Sequence, residues 1–233
     1  MPVTRPAGDT GGADPAVIAT LAAYAAGEAT EFAALAAVAA SRLLVPVVAV
    51  LAAANEPRAE EPRAEEAGAE KAGAEKSGME KETEMALPTL IGNDGRKAVI
   101  AFTGTDTVKR WRADARPVPV PAARLWPAVA AEQADAVVID VAGPVPLIVE
   151  GARLRALASG APPPLPHEDP DIRAQVAAVT DDFTLEPGGP DADLTVTMKT
   201  QDPSAARAAA ESIAARLAPR LRRGIAFRIA PSR

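Results

Sequence analysis

Apolar residues recur at helical spacing near the start of the chain, at Val17, Ile18, Leu21 and Tyr24. Asp14 supplies a cap ahead of them, and Pro15 a first turn. Gly27 ends that helix. Thr30 caps a second, with Phe32, Leu35 and Val38 along one side, after which RLLVPVVAV becomes strand-like. The first region therefore reads helix, helix, strand.

Further on, LPTLIG and RKAVIAF flank Asn93, Asp94 and Gly95, residues that tolerate the positive φ of tight connections, so the pattern predicts a hairpin. FTGTDTVKRW, residues 102–111, passes from a strand through a small polar turn into a helix. Thr103 and Asp106 are spaced as a capping box, in which the hydroxyl and the carboxylate satisfy each other's backbone N–H. Val108 and Trp111 then face the core, with Lys109, Arg110 and Arg112 in solvent. RPVPV predicts a strand, and residues 122–133 a helix that must accommodate Pro127. AVVIDV at 136–141 and VPLIVE are strands, and GARLRALASG is a short helix closed by Gly160. APPPLPHEDPD is a proline-stiffened linker. Beyond it, IRAQVAAV and DADLTVTMKT read as two strands, PSAARAAAESIAARLAPRLRR as a helix and GIAFRI as a last strand.

The sum is an α+β chain of two small domains. Residues 1–14 form a disordered N-terminus, and residues 15–160 a first domain of helix, helix, strand, then a hairpin and a mixed sheet with helices. Residues 161–170 form the linker, and residues 171–233 a C-terminal β-β-α-β domain. The first domain is interrupted at residues 55–84, where EPRAE, EPRAE, EAGAE, KAGAE and KSGME repeat in fives. A period of five builds no continuous apolar face, and prolines and glycines interrupt any helix, so this is a charged low-complexity tether. Ten acids against five bases give it −5 of the chain's net −6.

Composition changes the picture in two ways. Hydrophobic content is 48%, yet about a quarter of the chain is alanine and only 7 residues are aromatic, so Leu, Val and Ile must build the core. The absence of cysteine excludes disulfides, thiolate zinc sites and cysteine nucleophiles, and fits a reducing cytoplasm. MPVTRPAGDTGGADP lacks the basic and apolar regions of a secretory signal. The apolar stretch at 33–54 carries Arg42 and Pro46 near its middle, which argues against a membrane span.

Few residues offer chemistry. An anion cradle at 102–111 would need free N–H groups and a lysine, whereas Asp106 takes the anion's place. His167 beside Glu168 and Asp169 cannot assemble a zinc set alone. Asp181 and Asp182 read as turn residues, and no nucleophile triad or nucleotide-binding glycine motif is present. No catalytic, metal or cofactor site is expected. The remaining candidates are cationic: residues 203–233 hold seven arginines against Glu211, and Arg216, Arg220, Arg222 and Arg223 could meet nucleic acid or an acidic partner. Their bland role is to complement the helix dipole.

RLLVPVVAV, ALPTLIGNDGRKAVIAFTGTDTVKRWRADARPVPV, ADAVVIDVAGPVP and LRALASG, in this order, resemble the SseB protein N-terminal domain family, a bacterial and largely uncharacterised group. The resemblance covers roughly residues 15–160 without the tether, and C-terminal regions of the present kind often accompany that domain. Members often carry Asn-Pro where this chain has Asp140-Val141. The resemblance implies the fold and no catalytic residues. The expected function is a cytoplasmic, non-catalytic binding or scaffold protein acting on another protein, without a membrane. The alternative is a nucleic-acid binder using the arginine-rich end.

Overall fold

The structure is a computed structural model that describes residues 11–47, 89–92 and 95–230. The tether, the N-terminal ten residues and Asn93 and Asp94 of the predicted hairpin lie outside the described residues. The chain is an α+β protein, and within the described residues its elements run α1 (Pro15–Ala25), α2 (Glu31–Ala39), β1 (Arg42–Val47), β2 (Thr89–Ile91), β3 (Lys97–Ala101), α3 (Thr105–Trp111), β4 (Arg116–Pro121), α4 (Ala122–Ala131), β5 (Ala136–Ile139), β6 (Leu147–Glu150), α5 (Gly151–Ala158), α6 (Pro170–Ala177), β7 (Phe183–Pro187), β8 (Leu194–Lys199), α7 (Pro203–Leu217) and β9 (Ile225–Ala230).

Asp14 and Thr30 cap α1 and α2 as their sequences predict, accepting from the N–H of Ala16 at 2.8 Å and of Ala33 at 3.1 Å. β2 and β3 pair antiparallel, β3 and β5 parallel, and β5 and β6 antiparallel, giving a mixed sheet in the order β2-β3-β5-β6. β1 pairs with β4 in a separate ribbon, attached to the end of β3 by reciprocal hydrogen bonds between Leu44 and Phe102. Pro117, Pro119 and Pro121 alternate along β4, so all their missing N–H groups fall on one side. Only an edge strand tolerates that.

The main core lies on one face of the mixed sheet, where Val99, Ala101, Val137, Ile139, Leu147 and Val149 meet α1, α2, α4 and α5 through Leu21, Leu35, Trp126 and Leu154. A smaller cluster of Leu44, Ile100, Phe102 and Val108 covers one end of the opposite face. Trp111 packs there against Phe102 with ring centroids 5.6 Å apart.

Two expectations are corrected by this geometry. Thr103 does not cap α3. Its N–H and hydroxyl donate instead to the two carboxylate oxygens of Asp140, at 2.9 and 2.6 Å, and the cap position falls to Gly104, with no side-chain bond. Two charge-assisted bonds inside the protein outweigh one cap bond at its margin. Asp140 itself adopts φ +51°, a left-handed conformation that Asp and Asn tolerate better than other side chains.

The second correction concerns IRAQVAAV, which is not a strand but most of helix α6. Asp169 caps it, accepting from the N–H of Asp171 at 2.8 Å, and Pro170 opens the first turn. Ile172 and Val176, four apart, bury against α7 and the C-terminal sheet. The strand that pairs with DADLTVTMKT is β7, in the segment following Asp181 and Asp182. β8 then runs parallel to β9, with α7 as the crossover. A second core of Leu194, Val196, Ile213 and Leu217 fills this layer.

Candidate interaction surface

The arginine-rich end is the first place to look for a site, and the structure distributes its four candidate residues unequally. Arg220 points inward. Its Nε and Nη2 donate to Glu31 at 2.9–3.2 Å, and Nη2 also reaches Asp169 at 2.5 Å. Glu31 meets Arg153 as well, in a short contact on its other side. Two carboxylates and two guanidiniums are thus withdrawn from water together, and their charges balance. Burial alone would pull the Arg220 pKa down. Hydrogen bonds and charge from Glu31 and Asp169 outweigh that and raise it.

This network joins α2, α5, the linker before α6 and the segment after α7. Tyr24 strengthens the same seam, its hydroxyl donating to the carbonyls of Pro219 and Arg220 at 3.2 and 3.0 Å, while Arg222 lies over its ring at 5.9 Å. Burial and the nearby Glu31 raise the Tyr24 pKa. Two glycines permit the close approach. Gly27, at φ +74°, has no room for a Cβ, which would stand 2.9 Å from the Arg222 carbonyl oxygen. Gly151, at φ +58°, opens α5 where the Asp171 carboxylate accepts from the N–H of Ala152 at 2.6 Å.

Arg223 is also turned to internal use. Its N–H donates to Asp193 at 3.0 Å and its guanidinium meets the Pro190 carbonyl. Arg216 stays exposed on α7. The structure therefore brings Arg220, Arg222 and Arg223 to one seam and leaves Arg216 outside it. His167 lies 3.8 Å from Glu168, and Asp182 pairs with Lys199 at 3.2 Å.

A different surface offers contact to solvent. Along β6, Leu147 and Val149 enter the main core, so the alternating Ile148 and Glu150 face the other way. Helix α3 covers only one end of that face. At the uncovered end Leu90 is 37% exposed and Ile148 51%, while Ile91, 73% exposed and paired with Lys97, alternates to the other face at the sheet's edge. Leu90 and Ile148, together with Ala98, Ala136 and Val138, surround a depression of about 420 Å³, rimmed by Arg96, Lys97 and Glu150. Arg96 and Glu150 pair across the rim at 2.8 Å. This surface was not legible in the sequence, because VPLIVE is an unbroken apolar run that gives no sign of which residue faces solvent.

No described helix is long and apolar enough to cross a membrane. Neither the curated proteins nor the solved structures contain a match to this chain. A family model does match, described as the SseB protein N-terminal domain, and it takes in residues 17–156, from α1 through most of α5. That span includes both capped helices, the mixed sheet with its open face and 140 of the 233 residues, and the chain belongs to the SseB protein N-terminal domain family.

Proposed function

We propose that this protein is a non-catalytic binding or scaffold module of the cytoplasm that docks a partner protein on the open end of the β2-β3-β5-β6 sheet. The observation that carries this reading is the grouping of exposed Leu90 and Ile148 with Ala98, Ala136 and Val138 on one face, around one depression. Single exposed aliphatics are ordinary on protein surfaces. Grouped around a concavity with a charged rim, they mark an interaction site. Among the described residues the rim carries Arg96, Lys97 and Glu150, and Glu150 pairs with Arg96. The partner is accordingly a protein segment presenting aliphatic side chains flanked by Asp or Glu. Burying an isoleucine fully contributes about 1.5–3 kcal/mol, so Ile148 can anchor such a contact.

Nucleic-acid binding through the arginine-rich end is the alternative. Its support is the exposure of Arg216 and Arg222, and it is weakened by the engagement of Arg220 and Arg223 within the chain. One experiment separates the two readings. A photocrosslinking amino acid is placed at position 148 in one sample and at position 216 in another, and each is irradiated in host lysate with and without nuclease. A discrete protein adduct from position 148 that survives nuclease and is lost in Leu90→Lys supports the sheet face. Adducts confined to position 216 and abolished by nuclease would replace that reading with nucleic-acid binding.

A further inference from the structure

The C-terminal sheet runs β7-β8-β9, so β9 is one of its edges. Sheet edges expose unpaired N–H and C=O groups, and proteins ordinarily shorten or interrupt them. Several edges here follow that rule. β2 and β6 run for only 3 and 4 residues, β7 ends on Pro187, and β4 carries its alternating prolines. β9 runs for 6 residues without a proline, and among the described residues no strand or loop backbone pairs with its outer side. Its single charge, Arg228, is turned to Glu186 at 3.5 Å.

The direction of each backbone group in β9 follows from its ladder to β8. Gly224 and Ala230 turn their carbonyls inward, accepting from the N–H groups of Asp193 and Thr200 at 2.9 and 3.2 Å. Successive residues of a strand present their N–H and C=O to alternate sides, so Ile225, Phe227 and Ile229 present theirs outward. These residues stand level with Leu194, Val196 and Met198, and their side chains share the apolar side of the sheet. Ile225 and Phe227 pack partly against that core, whereas Ile229 is 56% exposed.

A strand of this pattern is complementary to itself. Set antiparallel to a second copy about a two-fold axis at Phe227, it places Phe227 opposite its equivalent and Ile225 opposite Ile229. All of these become hydrogen-bonded pairs, which exchange both of their N–H···O=C bonds, so every outward group is satisfied. Apolar side chains meet on one side, and on the other Arg228 falls opposite Ala226. Neighbouring registers fit worse. Centring on Arg228 opposes two guanidiniums and carries Ile225 past the end of the partner strand, and centring on Ala226 does the same to Ile229.

We propose that β9 pairs antiparallel with β9 of a second copy of this chain, centred on Phe227, and so joins two three-stranded sheets into one. One strand pair is a small interface, so the dimer depends on concentration. The contact uses none of the residues of the open sheet face and stands or falls separately from partner docking.

Sedimentation velocity of the full chain, from low to high concentration, is expected to show a monomer–dimer equilibrium. Ile229→Pro removes an N–H that faces away from β8 and a side chain largely in solvent, so the monomer should keep its urea midpoint. The dimer dissociation constant should rise at least about tenfold, the scale of the interchain hydrogen bonds lost. Ile229→Lys tests the same contact with the backbone intact and should weaken the dimer as well. The chain has no cysteine, so the register can be read by crosslinking. When Ala226→Cys and Arg228→Cys chains are mixed and oxidised, the mixed disulfide should form in preference to either symmetric one, because the two positions lie directly opposite. A native chain that stays monomeric throughout would overturn the proposal and leave the edge to a strand of another protein. A dimer unchanged by both Ile229 substitutions, or a predominance of either symmetric disulfide, would overturn it equally.

Discussion

Between the two cores, Glu31, Arg153, Asp169 and Arg220 are charged side chains taken out of water, whereas at the open end of the sheet Leu90 and Ile148 are aliphatic side chains left in it. Each region departs from the usual distribution, and the departures differ in kind. The seam compensates its departure internally, since every carboxylate there meets a guanidinium. The open face has no such compensation within the described residues. The Arg153 Nε has no hydrogen-bond partner among the described residues, but each carboxylate meets a cation, so this network is a fastening, whereas an uncompensated apolar cluster is an opening for something else.

The largest test of that contrast is Arg220→Ala. It leaves Glu31 sharing only Arg153 and strips Asp169 of its cation, and removing one member of a buried network typically costs about 3–5 kcal/mol. Equilibrium urea unfolding measures it. A loss below about 1 kcal/mol would place the seam among ordinary surface ion pairs. Gly151→Ala attacks the same seam through the backbone, combining a positive φ with a Cβ driven into the Asp171 carboxylate. The expected loss is about 1–3 kcal/mol, read in the same assay.

Asp193 sharpens the comparison, because it is a carboxylate buried near the seam without a full set of partners. One of its oxygens accepts from the Arg223 N–H and the other has none among the described residues. Burial raises its pKa above the ordinary 3.8 despite that bond. The folded state therefore favours the protonated acid. Its contribution is full below the ordinary value and is lost as pH rises through the folded pKa. Asp193→Asn should gain on the native chain as pH is raised from about 3 to 7. Melting curves across that range would contradict this if the native chain gained instead. Ile148→Thr is the smallest perturbation, expected within about 0.5 kcal/mol of the native stability because the side chain lies largely in solvent. Its effect belongs to partner capture, which should fall while the unfolding midpoint stays.

Where the sequence could be read, the signal was local. Asp14 and Thr30 announce helices because a cap needs only neighbours within three residues. The same signal stood before α6, in Asp169 and Pro170, but a short run containing Ile172, Val176 and Val179 also suits a strand, and the linker reading absorbed the cap. Thr103 failed differently. Its pattern with Asp106 is a valid local solution, displaced by Asp140, which lies 37 positions away.

Periodicity and turn chemistry by themselves determined the α+β class, the two leading helices, the pairing of β2 with β3 and the crossover from β8 to β9. Each of these depends on interactions between near neighbours or on a repeat visible along the chain. Tertiary structure alone decided the partners of charge and the exposure of apolar runs. Arg220 finds Glu31 across 189 positions, and Ile148 is left in water because α3 is too short to cover the whole sheet. A side chain's type states what it can do; only packing states what it meets, and for a charge or an apolar surface that meeting sets the sign of its contribution.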